Sequence, residues 1–462
     1  MLDDTIAAIS TPLGEGAIGI VRISGPQAIA IAETVFVPAV NKFWQKQTYK
    51  LVYGHVFDQT TGKIIDEVLL GNMPGPYSYT GEDVVEINCH GGPAPLRKTL
   101  ELICRAGARP AEAGEFSKRA FLNGRLDLTR AEAVIDMIRA ATEDALQLAV
   151  NQLSGRLSRA IDDILNELLA IVALVEAAID FPEDEVEDYS PAQMAIRLTA
   201  VIAKVRELIA GAEIGKVYRE GIKTVIVGKP NVGKSSLLNV LLREKRAIVT
   251  AVPGTTRDII EEVLNLGGLP VVLIDTAGIR DAGDEVEKLG VARTLAMIDQ
   301  AGLVLMVADA WAGLDAGDEE IIALLQNKRG ILVLNKIDLL QDGLGQVKNE
   351  LAQKLPAWPV VEISALQEQG IKELEAAIVD LVTGGLALPA DGVMVSNVRH
   401  KNLLFKALEH LTEAQEAVGT GLTPELVAVD LRAAWETVGE INGRAVTEDI
   451  VDKIFADFCI GK

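Results

Sequence analysis

Residues 228–235 read Gly-Lys-Pro-Asn-Val-Gly-Lys-Ser, a G-x-x-x-x-G-K-[ST] pattern. An apolar strand-like run, 224–227, precedes it and a helical run, 236–242, follows. That context is what a phosphate-binding loop requires. Glycines let backbone N–H groups turn toward phosphate oxygens, and the helix N-terminus adds partial positive charge. Lys234 is expected to bridge the β- and γ-phosphates and Ser235 to ligate Mg²⁺. Asp275-Thr276-Ala277-Gly278 closes the next strand: Asp275 reaches Mg²⁺ through water, and the Gly278 N–H faces the γ-phosphate. In Asn335-Lys336-Ile337-Asp338 a carboxylate accepts from the N1 and exocyclic amine of guanine. Adenine lacks that donor pair, so Asp338 selects GTP. Ser364-Ala365 ends the last strand, where the Ala365 N–H is expected to meet guanine O6. The order of these elements at strand ends points to Mg²⁺-dependent GTP hydrolysis.

Two details narrow the kind of GTPase. Ile279 follows Gly278, where many GTPases carry a glutamine that orients the attacking water. Isoleucine cannot hydrogen-bond, so that role must move elsewhere. Asn231 sits inside the phosphate loop, and residues 250–258 (TAVPGTTRD) stand where the first switch should be. Thr256 can ligate Mg²⁺. Asn231 and the carbonyls of Thr250, Val252 and Thr255 can cage a monovalent cation near the β/γ bridge, in the place of an arginine finger. Alternatively Asn231 is a turn residue and the loop a flexible switch; spacing leaves both readings open. The predicted nucleotide contacts are Asn231, Val232, Gly233, Lys234, Ser235 and Ser236. To these are added Thr250, Ala251, Val252, Pro253, Gly254, Thr255 and Thr256, the tetrapeptide Asp275, Thr276, Ala277 and Gly278, and Asn335, Lys336, Asp338, Ser364, Ala365 and Leu366.

The elements that hold these residues fall into four textures. Residues 1–118 mix short apolar runs with turns and read as an α/β domain. Residues 119–216 lack strand signals; Ile161, Leu165, Leu168, Val172, Val175 and Ile179 recur at helical steps. Phe181-Pro182 stops that helix before an acidic loop, 183–188. Residues 217–384 alternate buried apolar runs with helical runs, the pattern of a doubly wound, mostly parallel sheet. Residues 385–462 return to helices, with Gly439 and Gly443 marking breaks. The predicted fold is therefore multidomain α/β plus all-α, with the P-loop module inserted into a discontinuous helical domain. Glycines at 215–221 and the Gly384-Gly385 pair are the expected hinges.

Composition agrees with a globular chain. Of 462 residues, 49% are hydrophobic and 24% charged, which excludes wholesale disorder. No apolar run reaches the ~18 residues of a membrane span. The start lacks the basic segment of a signal peptide, and Cys89, Cys104 and Cys459 make no disulfide framework, so a reducing cytoplasmic location is expected. The net charge of −22 disfavours nonspecific binding to nucleic acid. Residues 97–130 nevertheless hold eight Lys/Arg against four Asp/Glu, either a partner-facing patch or a solvated helical face. His90 is read as structural.

Beyond the G motifs, residues 74–83 (PGPYSYTGED), 114–123 (GEFSKRAFLN), 177–182 (AAIDFP) and the final Phe-Cys-Ile-Gly-Lys resemble the MnmE (TrmE) family of bacterial tRNA-modification GTPases, of the TrmE-Era-EngA-YihA-Septin-like superfamily. The resemblance spans essentially the whole chain. It implies activation by K⁺ and by G-domain dimerisation, with Glu287 supporting hydrolysis from the second switch. It also implies an N-terminal domain that dimerises and binds 5-formyl- or 5,10-methylenetetrahydrofolate through Arg22, Glu86, Arg125 and Lys462. In such a site Glu86 would hold the pterin and the arginines the glutamate tail; at Arg125 the family often carries lysine. Cys459 is either an ordinary buried thiol or a reactive group at that site. The implied partner is the flavoprotein MnmG (GidA), which carries the FAD and joins the homodimer in a heterotetramer. The implied reaction adds an aminomethyl or carboxymethylaminomethyl group to C5 of the wobble uridine of certain tRNAs. A competing reading is a ribosome-assembly GTPase that binds rRNA, although such proteins usually carry a small basic appendage.

Overall fold

The computed structural model describes residues 3–40, 43–181, 190–245, 262–274, 290–340, 344–385 and 393–462. They form two compact units. One comprises Met1–Ile135, Gln152–Asp180 and Ala428–Lys462, the other Asp136–Asn151 and Phe181–Val427. The architecture is α/β plus all-α, as read from the sequence.

The first unit carries a seven-stranded sheet formed by β1 (Ile6–Ile9), β2 (Gly16–Ser24), β3 (Phe36–Pro38), β4 (Leu51–Asp58), β5 (Lys63–Met73), β6 (Val84–Gly91) and β7 (Arg109–Pro110). The order is β3-β4-β5-β6-β2-β1-β7, antiparallel except for β1 with β7. Side chains alternate across a strand. Val21, Ile23, Val85 and Ile87 therefore share one face, packed under Ile31 and Ala32 of the helix Ala28–Val35 and Leu96 and Ile103 of the helix Pro93–Arg105. The residues between them take the other face. Arg22 and Glu86 are register partners there. A one-residue slip would exchange this pair for apolar side chains, so the core that fixes the register also fixes the pair.

The end of the chain belongs to this unit. The helix Glu448–Ala456 packs on the helix Glu115–Leu122. Phe455 lies 5.1 Å from Phe458 and 6.4 Å from Phe121, ring centre to ring centre. Gly114 makes this approach possible: a Cβ there would come 2.4 Å from the Phe455 carbonyl oxygen. Its N–H donates to the Cys459 carbonyl (3.3 Å), and Ala113 bridges Ile460.

Arg119, wholly buried, ties three segments of this unit together. Its guanidinium donates to Asp4 Oδ1 (2.7 Å) before β1, to Glu82 Oε1 (3.2 Å) in the loop before β6, and to Glu115 Oε1 (3.0 Å) one helical turn back. Arg109 also clasps Glu115, at 2.6 Å.

In the second unit β8 (Ile222–Val227), β9 (Glu262–Leu266), β10 (Leu269–Leu273), β11 (Leu303–Asp309), β12 (Gly330–Asn335) and β13 (Val360–Glu362) are ordered β13-β12-β11-β8-β10-β9. All pairs are parallel except β9 with β10. Apolar clusters cover both faces, Leu237, Leu241 and Leu374 on one and Ile298, Ile322 and Leu351 on the other. The central strands are accordingly buried along their whole length. The helices Pro191–Ala210 and Val398–Gly419 pack together in this unit, and Gln415 Nε2 donates to Thr199 Oγ1 at 2.8 Å.

Two sequence expectations change. Gly439 breaks nothing: the helix runs Pro424–Asn442 and ends at Gly443, where φ is 90°. One glycine costs a helix only about 1 kcal/mol relative to alanine, too little to end it. Gly215 is not a hinge but lies within the helix Ala212–Glu220, where a Cβ would sit 2.2 Å from the Val395 carbonyl oxygen. The acidic loop 183–188 lies outside the described residues.

The Arg119 cluster yields a prediction. Arg119→Met leaves the poorly solvated Glu82 and Glu115 without their shared cation. Breaking such a pair costs about 3–5 kcal/mol, read as a lower denaturant midpoint. Burial raises the carboxyl pKa of Asp4 and Glu115, but bonds to Arg109 and Arg119 outweigh it, and both end below the ordinary value. Their contribution is therefore present at neutral pH. It is lost as pH falls through the unfolded-chain carboxylate range toward those lowered values, and the variant should show less of this acid sensitivity.

Candidate functional site

The phosphate loop leaves β8 in the second unit and enters the helix Lys234–Lys245. Asn231 has a left-handed backbone, φ 63°, the conformation of a turn residue, with an exposed side chain. The Lys234 ammonium donates to the carbonyls of Gly228 (2.7 Å) and Lys229 (2.6 Å). Burial pushes its pKa below the ordinary lysine value. Phosphate oxygens would take over these bonds. Ser235 and Ser236 stand exposed in the helix's first turn, and Val232 is buried under the loop.

Asn335, at the end of β12, joins the phosphate loop to the guanine-reading loops. Its Nδ2 donates to the Val232 carbonyl (2.9 Å), and its Oδ1 accepts the Ala365 N–H (3.0 Å). Gly233 lies so close that a Cβ would come 2.1 Å from Asn335 Nδ2, so only glycine fits. The Ala365 N–H, expected at guanine O6, is thus already donated to Asn335, and a bound base would have to share it. Lys336 is left-handed, φ 67°, and its ammonium lies 2.5 Å from Asp309 Oδ2 at the end of β11. The turn Ile337–Leu339 carries Asp338, and a mutual Ser364–Gln369 backbone pair (3.0 and 3.1 Å) shapes the loop that exposes Leu366. The sequence reading gave no role to Lys229, whose ammonium lies 2.7 Å from both Asp315 and Asp318.

Residues 250–256, Asp275, Thr276, Ala277, Gly278 and Glu287 lie outside the described residues. The phosphate loop and the guanine loops are therefore the described part of the nucleotide site.

A second polar cluster occupies the first unit. Arg22 Nε and Nη2 both lie 2.8 Å from Glu86 Oε1, and Nη1 donates to the Gly461 carbonyl (3.2 Å). The two residues expected to hold opposite ends of a folate thus pair with each other. The Tyr79 and Phe116 rings lie 5.6 and 5.5 Å from the Arg22 guanidinium, close enough for cation–π attraction. The Tyr79 hydroxyl is 2.7 Å from Ser117 Oγ. These residues lie in the quoted family segments, but only the folded chain shows what they clamp. Arg125, exposed, donates to the Ser78 carbonyl at 3.4 Å. Lys462 is half-buried. Burial, then the charge of Arg22, pushes its ammonium below the ordinary range, against the pull of Glu86 and Cys459. Arg22 is thus paired with Glu86 while also holding the carbonyl next to Lys462. Cys459 is partly buried beside them in sequence, its carbonyl accepting the Gly114 and Lys462 N–H groups (3.3 Å each).

The basic stretch 97–130 is largely neutralised. Arg105 pairs with Glu101, Lys118 with Asp452, Arg109 with Asp4 and Glu115, and Arg119 is buried. The solvated-face reading is the better one. His90 Nδ1 lies 2.6 Å from Asp66 Oδ1, a local pairing on the sheet.

The guanine loop makes a direct prediction. Asp338→Asn offers an amide donor where xanthine presents an oxygen, so preference should move from GTP toward xanthosine triphosphate. A mismatch of about 1–3 kcal/mol is roughly ten- to more than hundredfold in affinity. Competition binding of the two nucleotides checks it; undiminished GTP preference would place the base elsewhere.

The family model for the GTP-binding protein TrmE N-terminus matches residues 5–125, and that for the MnmE helical domain matches 128–459. The tRNA modification GTPase MnmE of Desulforamulus reducens is 51% identical over 463 residues, covering 100% of both chains. That of Carboxydothermus hydrogenoformans is 50% identical over 464 residues, again covering 100% of both. Among solved structures, Aquifex aeolicus Era bound to GDP.AlF4- is 31% identical, over 41% of this chain and 66% of that chain, with a TM-score of 0.29. The full-length match displaces the ribosome-assembly reading. Among the described residues no helix is long and apolar enough to cross a membrane. The chain is a GTP hydrolase and belongs to the MnmE (TrmE) family of tRNA modification GTPases.

Proposed function

We propose that this GTPase is the folate-binding half of a tRNA-modifying complex. With the flavoprotein MnmG, which brings FAD, it adds an aminomethyl or carboxymethylaminomethyl group to C5 of the wobble uridine. The observation that supports the folate assignment is the seating of the chain end on the Arg22–Glu86 pair: Arg22 donates to the Gly461 carbonyl at 3.2 Å, next to Lys462. A tetrahydrofolate carries an anionic tail for the cations of this seat, and formyl or methylene groups on it are the one-carbon source. Arg125, anchored on Ser78 beside Tyr79, is the outer cation of the same seat. Cys459 stands in the strand-like end that brings Lys462 there. The N-terminal domain, residues 1–118, dimerises in this reading, and the GTPase module, 217–384, is inserted between helical parts 119–216 and 385–462. The neutralised stretch 97–130 fits a complex whose tRNA-binding charge comes from the partner. The complex works in the cytoplasm.

Reconstitution tests this reading. Purified chain, flavoprotein partner with FAD and a reduced nicotinamide, GTP, Mg²⁺, K⁺, undermodified tRNA, 5,10-methylenetetrahydrofolate and ammonium or glycine as nitrogen donor should give modified wobble uridine on nucleoside analysis, and Lys462→Met should lose folate-dependent modification and folate binding together. Unmodified uridine with both proteins active in nucleotide and flavin binding would sink it.

At the nucleotide site Ser235 and Thr256 hold Mg²⁺. Asn231, with the carbonyls of Thr250, Val252 and Thr255, holds K⁺ as two GTPase modules meet, and Glu287 supports the attacking water. The left-handed Asn231 backbone serves the turn and leaves its side chain exposed for that cation. Turnover should then be much faster in K⁺ than in Na⁺, whose smaller radius fits poorly. Asn231→Ala should flatten the difference while GTP binding persists; equal steady-state rates in the two salts for the parent would rule the cage out.

A further inference from the structure

Two lysines of the nucleotide site are anchored on one short segment, residues 309–318. At its start, Asp309 Oδ1 accepts the N–H groups of Trp311 (2.9 Å) and Ala312 (3.2 Å), while Oδ2 meets the Lys336 ammonium (2.5 Å). Burial raises the Asp309 pKa, but Lys336 and these two N–H groups outweigh it and hold the carboxyl below its ordinary value. At its end, Asp315 caps the helix Ala316–Leu325, and Asp318 returns a bond to the Asp315 N–H (3.2 Å), a reciprocal capping box. The same two carboxylates hold Lys229, each oxygen 2.7 Å from its ammonium. Asp318 is 1% exposed, so this cation answers a charge that water cannot reach.

Lys229 faces both ways. Its side chain is fastened to the cap, and its carbonyl accepts the Lys234 ammonium at 2.6 Å. The segment therefore sets the backbone that carries the phosphate-reading lysine and, through Asp309, the motif that carries Asp338. We propose that residues 309–318 are a positioning element for nucleotide binding, with Lys229, Asp318 and Asp309 as positioning residues that hold the phosphate loop and the guanine loop in mutual register. This rests on the reading of residues 228–235 as the phosphate loop. None of the three need touch the nucleotide; they act through Lys234 and Lys336.

The test uses the full chain and the dissociation constants and rates of fluorescent GDP and GTP. Lys229→Met alone strands the buried Asp318 and destabilises the fold, so it is paired with Asp318→Asn, which removes the charge along with the tether. The double variant should unfold at the parent's midpoint yet bind both nucleotides about tenfold more weakly, with KM raised more than kcat lowered. Lys229→Arg, which can serve both carboxylates, should restore affinity. Asp309→Asn should speed release of both nucleotides. A structural role alone would move the unfolding midpoint and leave affinity untouched. Dissociation constants within twofold of the parent in the folded double variant would overturn the proposal. If that variant does not fold, parent-like release from Asp309→Asn overturns it instead. A parent that binds no nucleotide would refute the phosphate-loop reading itself.

Discussion

A cation withdrawn from water must be answered by a carboxylate, and the answering group can come from any part of the chain. Lys234 apart, whose ammonium is met by backbone carbonyls, this constraint recurs among the described residues. Arg119 gathers Asp4, Glu82 and Glu115; Arg22 lies on Glu86; Lys229 lies on Asp318, and Lys336 on Asp309. Apart from Arg119 with Glu115, one helical turn apart, each pair joins segments separated along the chain. Because an unanswered buried charge is costly, each tie is also a demand on the rest of the fold. The geometry of the sites is therefore a consequence of where the buried cations find their partners.

The second constraint is close approach. Gly114 and Gly233 stand where a single methyl group would collide with backbone or with Asn335. At Gly114 the space is taken by the end of the chain, which carries Lys462 toward Arg22. At Gly233 it is taken by the amide that links phosphate loop and guanine loop. Small residues thus do in the two units what ion pairs do elsewhere: they let two segments come near enough to act on one ligand. At Arg22 the approach joins residues 439 apart in the chain, its guanidinium donating to the Gly461 carbonyl.

Much of the nucleotide site was legible before folding. The loop 228–235, Asn335 to Asp338 and Ser364-Ala365 are local motifs, and strand runs such as Leu303–Asp309 are short, nearly all-apolar stretches whose length suits a buried strand. The strand Glu262–Leu266 alternates, with Leu264 and Leu266 buried between more open positions, and so offers no apolar run to mark it in the sequence. The Gly439 break was over-read, because a helix tolerates one glycine when its neighbours bind well. Gly215 was read as freedom when its smallness serves packing against Val395.

What the sequence by itself determined is whatever depends on neighbours along the chain: the phosphate-loop motif after its strand, the Asn335–Asp338 motif, helical periodicity in Arg156–Asp180, and family membership through its motif segments. What only the tertiary structure decided is which charges meet. The Arg22–Glu86 pairing follows from strand register, the place of Lys462 from the docking of Phe455 and Phe458, and the work of Lys229 from the capping box at Asp315 and Asp318. The physical reason is range. Backbone preference and hydrophobic period act over a few residues and are written in order, whereas a buried ion pair is satisfied by nearness in space alone, which no stretch of sequence records.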